Sequence, residues 1–334
     1  MTEEAARTPD SHPPTDAGPE ATPGCAPAAA PLSADASGGM PGSAPAPRER
    51  RRAGLGYAWY LFRRNRLTLA GSAVVLLLVL IALAAPWLAP YPADATADVH
   101  PERALLPPSR EHLFGTDELG RDLFTRVLFG SRISLTVGVI AIGLALLIGV
   151  PIGLAAGFFG GTVDEVLMRV CDVFMSFPPL LLSVAICAML GPSLTNVMIS
   201  IGVAWWPWYS RLIRSQALSV RERGFVEAAR AAGVKPWVVI WRHILPNTMA
   251  PVVVQASMDF GSVILTAASL GFLGMGAQPP TPEWGLLVSI GRTFFLNQWW
   301  YVTFPGLAIF MAVLAFNLVG DGIREISDPR TREA

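Results

Sequence analysis

Long uninterrupted apolar runs dominate the pattern of hydrophobic and polar positions along the chain. Five runs contain no charged residue, and a sixth contains one, Asp259. In chain order the runs cover residues 67–88, 133–159, 174–190, 191–210, 249–273 and 301–319. Because about 18 uncharged apolar residues are enough for a helix to cross a bilayer, the pattern predicts an all-α polytopic membrane protein with six transmembrane helices.

Proline and glycine positions refine these predicted helices. Pro178-Pro179 is expected to bend or interrupt the third helix, because proline lacks the N–H that an interior helical turn needs. Residues 160–169, just before that helix, are predicted to be a short linker. In the second run, small residues at four-residue spacing favour close packing against a neighbouring helix. They are Gly149, Gly153 and Gly157.

Composition agrees with a membrane protein and excludes one enzyme class. Of the 334 residues, 52% are hydrophobic and 15% are charged, whereas about 25% are charged in an average soluble domain. The single lysine, Lys235, follows Val234, so the chain has no G-x-x-x-x-G-K-[ST] phosphate-binding loop. The chain is therefore not expected to hydrolyse ATP by itself.

Arginine-rich segments precede the first run and follow the fourth and sixth runs, which predicts that both termini are cytoplasmic. The cluster of aromatic residues at 205–209 is expected to lie in an interfacial aromatic belt. The predicted parts are a disordered cytoplasmic tail (1–50), a first transmembrane helix with an external loop (51–130), a core of five transmembrane helices with a cytoplasmic loop at 211–246 (131–326), and a cytoplasmic tail (327–334).

The cytoplasmic loop carries strong local signals. Residues 222–232 are rich in Ala, Glu and Arg and predict a short helix, Gly233 suits the position after its end, and Pro236 suits the first turn of the next helix. The product is a helix–turn–helix elbow that ends at Pro246. From the residues alone, two interpretations remain open: the elbow enters a groove on a partner protein, or it lies on anionic lipid headgroups.

The elbow sequence resembles the EAA loop of ABC-importer permeases. The resemblance lies in Glu227-Ala228-Ala229, in Gly233 and in Leu245-Pro246, while His243 stands where Ile is frequent. In that family the loop is a coupling helix that docks on the ATPase. The residues that the resemblance assigns to ATPase coupling are Glu227, Ala228, Ala229, Gly233, Leu245 and Pro246.

Three further segments, 115–122, 272–285 and 317–330, resemble the C-type permease subunit of the dipeptide, oligopeptide and nickel importers. The residues that these motifs mark as structural are Gly115, Asp117, Gly120, Arg121, Asp122, Gly274, Asn317, Asp321 and Arg324. The charged residues of the first motif are expected to form a structural ion-pair cluster or to help receive a binding protein. Those of the third are expected to anchor the end of the sixth transmembrane helix. Two departures from the branch are Gly271 in place of Ser and Ala267 in place of Glu.

The resemblance implies a type I ABC-importer permease in the cytoplasmic (inner) membrane. Its implied partners are a B-type permease, two cytoplasmic P-loop ATPases and an extracellular or periplasmic substrate-binding protein, with no nucleic acid. ATP and Mg²⁺ would bind to the ATPases, and this chain would carry no cofactor and no catalytic residue. Di- or oligopeptides are the implied substrates, with nickel chelates, glutathione or another small solute as alternatives.

Asp259 is the one ionisable residue near the middle of an apolar run, so it is expected to face protein or water. It either lines the translocation pathway or pairs with a polar group on a neighbouring helix. No Cys/His grouping has metal-ligand spacing, so no metal site is expected. An ion-coupled secondary transporter is the alternative from another class, but such a protein has no use for a coupling loop.

Overall fold

The computed structural model describes residues 65–327. In this part of the chain the backbone is helical apart from turns, loops and one isolated β-bridge between Thr116 and Asp122, so the all-α prediction is confirmed. The tail at 1–50 and residues 328–334 lie outside the described residues. The helices are α1 (Arg66–Leu88), α2 (Leu123–Phe159), α3 (Gly161–Met175), α4 (Pro179–Leu190), α5 (Leu194–Arg221), α6 (Gly224–Ala231), α7 (Pro236–Phe272), α8 (Trp284–Gly291) and α9 (Trp300–Ser327).

Four of the described helices, α1, α2, α7 and α9, are long and apolar enough to cross a membrane. A fifth span is obtained if α3 and α4, which meet at a bend of 84°, cross together. α5 contains the predicted fourth span. It is not one of these helices, because its aromatic and arginine residues lower its mean hydropathy. The six-helix topology therefore stays a prediction.

The predicted interruption at Pro178-Pro179 is confirmed, since α3 ends at Met175 and α4 begins at Pro179. The predicted linker at 160–169 is wrong, because α3 begins at Gly161 and occupies most of it. Gly160 has φ = 67° and ends α2, which lets the chain turn directly into the next helix.

α2 begins at Leu123, so the predicted boundary between residues 130 and 131 falls inside this helix. Asp122 is its N-cap, and its Oδ2 accepts a hydrogen bond from the Thr125 N–H at 2.8 Å. Hydropathy alone did not reveal the first turns because they include a charged residue, Arg126, which is buried and paired.

Close contact between α2 and α5 forms the centre of the largest apolar cluster. A Cβ at Gly149 would lie 2.7 Å from the Trp206 carbonyl oxygen, and one at Gly153 would lie 2.4 Å from that of Ser210. The backbones approach so closely because glycine has no side chain, which confirms the predicted helix packing.

The predicted aromatic belt at 205–209 is largely wrong. Trp205 and Tyr209 are buried in the α2–α5 cluster, and Trp206 is buried with its ring 5.3 Å from that of Phe174, whereas Trp208 is exposed. The three buried rings pack inside the protein, Tyr209 beside Gly149 of α2.

A second apolar cluster joins the first turns of α2 to α8 and α9. Trp284 of α8 is fully buried and donates its Nε1–H to the Val127 carbonyl at 2.9 Å. This cluster fixes the long connection between α1 and α2 against the rest of the fold.

Candidate functional site

The elbow forms as the local sequence signals predict. α6 ends in a motif in which Gly233 N–H donates to Arg230 O at 3.0 Å and Val234 N–H donates to Ala229 O at 3.1 Å. This is the Schellman arrangement, and it requires a left-handed residue after the helix. Gly233 supplies that conformation with φ = 76°, and no neighbouring atom of residues 65–327 lies within 4 Å of the position its Cβ would take.

The elbow is attached to the rest of the protein by one face only. Val226 is fully buried beneath α6, together with Val239 and Ile244 from the start of α7. Arg230 places its guanidinium 5.7 Å from the centre of the Phe158 ring, at the end of α2. Away from that face Glu227 and Ala228 are exposed, whereas Ala229 is half-buried and packs against the same cluster as Val226.

Leu245 and Pro246 lie inside α7, so the elbow does not end at Pro246 as predicted but continues as one helix into the apolar run. Pro246 has no N–H to donate to the carbonyl four residues earlier, and the backbone responds with a π turn at Ile240–Ile244, in which Leu245 N–H donates to Ile240 O. The Asn247 side-chain amide donates to His243 O at 2.7 Å and satisfies a further carbonyl. The elbow is thereby continuous with a helix that runs from Pro236 to Phe272.

The predicted loop at 211–246 is also shorter than expected, because α5 continues to Arg221. Arginines on this extension form ion pairs with the acids of α3: Arg214 with Asp164, at 2.6 Å between Nη2 and Oδ2, and Arg211 with Asp172. The sequence showed the acids and the arginines, but the partners are about 40 or 50 residues apart and no local pattern links them.

Asp259 lies in α7 and faces α5. Its Oδ1 accepts a hydrogen bond from Gln255 Nε2 at 2.9 Å, and its carboxyl lies beside the Tyr209 hydroxyl. Asp259 Oδ2 and Tyr209 Oη are both buried without a hydrogen-bond partner in the described part of the chain. Gln255 also lines a neighbouring cavity of about 400 Å³, together with Trp208, Arg211 and Leu212.

The motif at 115–122 builds a buried ionic network in the α1–α2 connection. Asp117 Oδ2 lies 2.7 Å from Arg121 Nε and 3.3 Å from Arg126 Nε, and all three side chains are at most 1% exposed. Asp117 Oδ1 also accepts the Leu119 and Arg121 N–H groups. Each charge in the motif is thus matched within its own chain.

The rest of this motif holds the start of α2. The His112 imidazole lies 3.0 Å from Asp122 Oδ1, and the Asp122 N–H donates to Asp94 Oδ2 at 2.7 Å. Gly115 and Gly120 both have positive φ. A Cβ on Gly120 would lie 1.8 Å from the His100 carbonyl oxygen, so this turn accepts only glycine.

The third motif lies on α9, apart from the elbow and from the ionic network at 115–122. Asn317, Asp321 and Arg324 are exposed along α9, and Asn317 bonds only to the Val313 carbonyl of its own helix, at 2.9 Å. Near the end of α9 a contact that the sequence analysis missed joins the helix to the start of α1: Asn65 Nδ2 donates to Glu325 Oε2 at 2.8 Å. The predicted anchoring role of the three motif residues stays a prediction.

Glu283, which the sequence analysis also missed, is the buried N-cap of α8. Its carboxylate accepts the Gly285 and Leu286 N–H groups at 2.8 and 2.7 Å. Burial raises the pKa of Glu283 to about 7, against the lowering effect of these two hydrogen bonds. The preceding segment contacts the first turn of α2, since Arg126 Nη2 donates to Pro280 O at 3.1 Å. Gly274, in the second motif, ends α7 with φ = 79°.

Two sequence families match the chain. Residues 149–333 match the family described as binding-protein-dependent transport system inner membrane component, and residues 55–108 match the N-terminal TM domain of oligopeptide transport permease C. Together these matches include the elbow, α7 and the first transmembrane helix.

Curated relatives match over most of their length. The chain is 45% identical to the dipeptide transport system permease protein DppC of Alkalihalophilus pseudofirmus, covering 82% of this chain and 90% of that protein. It is 45% identical to the probable D,D-dipeptide transport system permease protein DdpC of Escherichia coli, covering 86% and 96%. It is 42% identical to the glutathione transport system permease protein GsiD of Pectobacterium atrosepticum, covering 82% and 90%.

Among solved structures, the fold is similar to that of the MetNI methionine ABC transporter in an inward-facing conformation. The TM-score is 0.50 at 18% sequence identity, and the match covers 62% of this chain and 98% of that one. At this identity the likeness concerns the fold alone.

Proposed function

The chain belongs to the family of binding-protein-dependent transport system inner membrane components, and on this premise we propose that it carries di- or oligopeptides across the membrane. It is a membrane-embedded permease subunit of an ABC importer. The peptide substrate is supported by the names of relatives at 45% identity, which are dipeptide permeases. Glutathione is itself a tripeptide, so the relative named for it belongs to the same chemical class. Nickel chelates are the remaining alternative.

Permeases of ABC importers work with other subunits, and the proposed set here is specific. A B-type permease completes the pathway, two P-loop ATPases bind ATP and Mg²⁺ on the cytoplasmic side, and an exported binding protein delivers the peptide. ATP hydrolysis occurs in these partners, since this chain contains no phosphate-binding loop.

The proposed ATPase-docking surface is the exposed face of the elbow, formed by Glu227, Ala228 and Gly233. The observation that carries the proposal is its one-sided attachment: Val226 holds α6 from beneath, while Glu227 and Ala228 are exposed and the space above Gly233 is empty. Small side chains on a short helix allow the walls of a groove to approach closely. A flat helix on lipid headgroups would have no need of an acidic residue on that face.

Movement of the docked elbow passes into the membrane along α7. The elbow continues through the π turn into this single helix, which carries Asp259. ATP binding favours one of two arrangements of the ATPases, and the coupled helix shifts the permease toward the matching state.

Asp259 is the proposed polar group of the pathway. Its carboxyl lies beside the Tyr209 hydroxyl, and among the described residues neither Asp259 Oδ2 nor Tyr209 Oη has a well-formed hydrogen bond. Water or a substrate would lower the free energy of these buried groups. The adjacent cavity of about 400 Å³ offers space for such a molecule. Asp259→Asn is expected to reduce uptake of peptides with a free ammonium group more than uptake of N-acetylated peptides. Equal uptake of both would exclude an electrostatic role.

The elbow and the α1–α2 connection lie at opposite ends of α2. Arg221, beside the elbow, donates to the Phe158 carbonyl at 3.2 Å, near the end of α2, whereas Asp122 caps its beginning. The helix has 37 residues, about 55 Å at 1.5 Å per residue. The proposed orientation places the elbow in the cytoplasm and the connection outside the cell.

Gly233→Trp tests the docking surface, and Gly274→Trp is its matched control. Both glycines follow a helix in a Schellman arrangement, with φ of 76° and 79° and no atom near the Cβ position, but they lie at opposite ends of α7. The two variants therefore impose similar backbone strain. Each is expressed with its partner subunits, and ATPase co-purification and peptide-stimulated ATP hydrolysis are measured in proteoliposomes.

Gly233→Trp is expected to abolish ATPase co-purification while Gly274→Trp retains it. Normal ATPase association in Gly233→Trp, at normal expression, would show that the elbow does not dock there. Loss in both variants would attribute the effect to strain.

The substrate class is tested by purifying the full chain from its native membrane and identifying retained proteins and small molecules by mass spectrometry. A second permease, two P-loop ATPases and a binding protein loaded with a short peptide are the expected result. A binding protein loaded with a metal chelate would replace the peptide proposal but leave the importer assembly intact.

A further inference from the structure

The α1–α2 connection brings three metal-ligand side chains together at a place distant from the elbow and from Asp259. His100 Nε2 lies 3.4 Å from Asp94 Oδ1 and 3.8 Å from Asp98 Oδ2, and the ligand atoms of all three residues lie within 4.8 Å of one another. Two atoms bound to one Zn²⁺ at tetrahedral angles are about 3.4 Å apart. The His100–Asp94 spacing equals that value, and the remaining spacings, up to 4.8 Å, need only a small inward movement of the exposed Asp98.

From this geometry we propose that Asp94, Asp98 and His100 bind one divalent transition-metal ion. Neither the peptide substrate nor the coupling elbow requires such a site, so the proposal is independent of both. This site lacks a Cys/His sequence pattern, because two of its three ligands are carboxylates that precede the histidine by two and six positions.

The Asp94 carboxylate is the most deeply buried of the three proposed ligands. Its side chain is 5% exposed, and in the described part of the chain its Oδ2 accepts one hydrogen bond, from the Asp122 N–H, while Oδ1 accepts none. Arg126, the nearby guanidinium, donates to the backbone carbonyl of Asp94 instead and forms its ion pair with Asp117. The Asp94 Oδ1 faces the cluster, 3.4 Å from His100 Nε2. A cation held between these atoms would offset the free-energy cost of burying the carboxylate.

Glu102 lies beside His100 on the side of the ring that faces away from the proposed metal. Its Oε1 lies 3.8 Å from His100 Nδ1, the ring nitrogen opposite to the ligand atom. A carboxylate on that side favours the tautomer with the proton on Nδ1, which leaves the Nε2 lone pair free for a metal. The His100 backbone is held as well, because its N–H donates to Leu119 O at 2.7 Å.

The ligand set identifies the class of ion. One imidazole with two carboxylates suits Zn²⁺ and its first-row neighbours, whereas Ca²⁺ and Mg²⁺ prefer oxygen ligands alone. Asp98 is 48% exposed, so water can complete the coordination. Because Asp94 also accepts the Asp122 N–H, a bound ion would brace the N-cap of α2 against the segment at 92–103.

The test is a calorimetric titration of the full chain with Zn²⁺. The chain is purified in detergent with a tag that contains no histidine, treated with a chelator and dialysed. The wild type is expected to bind one Zn²⁺ in a saturable step. Asp98→Asn and His100→Gln are expected to lose that step, and Glu102→Gln is expected to weaken it by about 10- to 100-fold.

Glu111→Gln is the matched control, since it removes an exposed carboxylate from the same connection outside the cluster. It is expected to bind Zn²⁺ as the wild type does. Thermal unfolding without metal confirms that each variant is folded, and exposed Asp98 makes Asp98→Asn the safest of them. No saturable binding by the wild type, or unchanged binding by folded Asp98→Asn, would overturn the proposal.

Discussion

The α1–α2 connection and the elbow are both polar segments outside the apolar runs, and both carry family motifs, yet they place their charges in opposite ways. The connection buries Asp117 and Arg121, and the Asp117 carboxylate pairs with Arg121 and with Arg126 from the first turn of α2. The elbow buries Val226 and leaves Glu227 exposed. A motif that is satisfied within its own chain fixes structure, whereas a motif with exposed side chains on a fixed support is available to another protein.

The largest expected effect is on stability, in the connection. Arg121→Met removes one of the two guanidiniums that face the buried Asp117 carboxylate. Breaking a buried ion pair on one side typically costs about 3–5 kcal/mol, so the free energy of unfolding in detergent is expected to fall by that amount. The control is Arg103→Gln, an exposed arginine that lies 3.8 Å from Glu102. A similar small loss in both variants would contradict the structural role of the network.

A smaller effect, dependent on pH, is expected at Glu283 beside the connection. The folded-state pKa of Glu283, about 7, is above the ordinary glutamate pKa of 4.5, so between these values the folded state binds more protons than the unfolded state. Stability is therefore full below about pH 4.5 and falls as pH rises through 7, by up to about 3 kcal/mol for this group. Glu283→Gln keeps a hydrogen-bond acceptor and is expected to flatten the curve of unfolding free energy between pH 5 and 8. An unchanged slope would contradict the raised pKa.

In the elbow, the buried Val226 side chain is expected to stabilise α6 and not the rest of the protein. Val226→Ala removes two methyl groups from a fully buried position and is expected to cost about 1–2 kcal/mol. Because α6 is attached by this one face, the loss should appear as faster amide hydrogen exchange in α6 and not in the α1–α2 connection. Phe225→Ala, at an exposed neighbour, is the control. Equal acceleration in both regions would mean that the elbow is not a separate unit.

The smallest effect on the isolated chain is expected at the exposed motif itself. Glu227→Gln should change the unfolding free energy by less than about 0.5 kcal/mol, as exposed substitutions commonly do. In the assembled complex it is expected to weaken ATPase binding, whereas Glu222→Gln, another exposed acid beside the elbow, is not. A loss of stability without an effect on ATPase binding would show that Glu227 has a structural role and not a docking role.

Local signals predicted the elbow well. Gly233 and Pro236 mark a helix end and a helix start by backbone rules that act within a few residues. Hydropathy predicted the positions of most of α1, α2, α7 and α9, because these helices are apolar over most of their length.

The errors have a common physical origin in long-range pairing. The first turns of α2 were missed because Arg126 looks like a loop residue until Asp117 is placed beside it. Residues 160–169 were predicted to be a linker because Asp164 finds its partner, Arg214, only through the fold. Trp205, Trp206 and Tyr209 have the composition of a membrane interface, but the fold buries all three, Tyr209 beside Gly149 of α2 and Trp206 against Phe174 of α3.

The π turn at Ile240–Ile244 has a geometric consequence for the elbow. It places one more residue in its backbone ring than an α-helical turn does. Side chains advance about 100° per residue around an α-helix, so this extra residue offsets the azimuth of the elbow relative to the helix beyond Pro246 by roughly that angle. The direction around the α7 axis in which Glu227 and Gly233 face is thus set by the extra residue of the π turn. Deleting a single residue from the turn would rotate an otherwise intact elbow away from its partner.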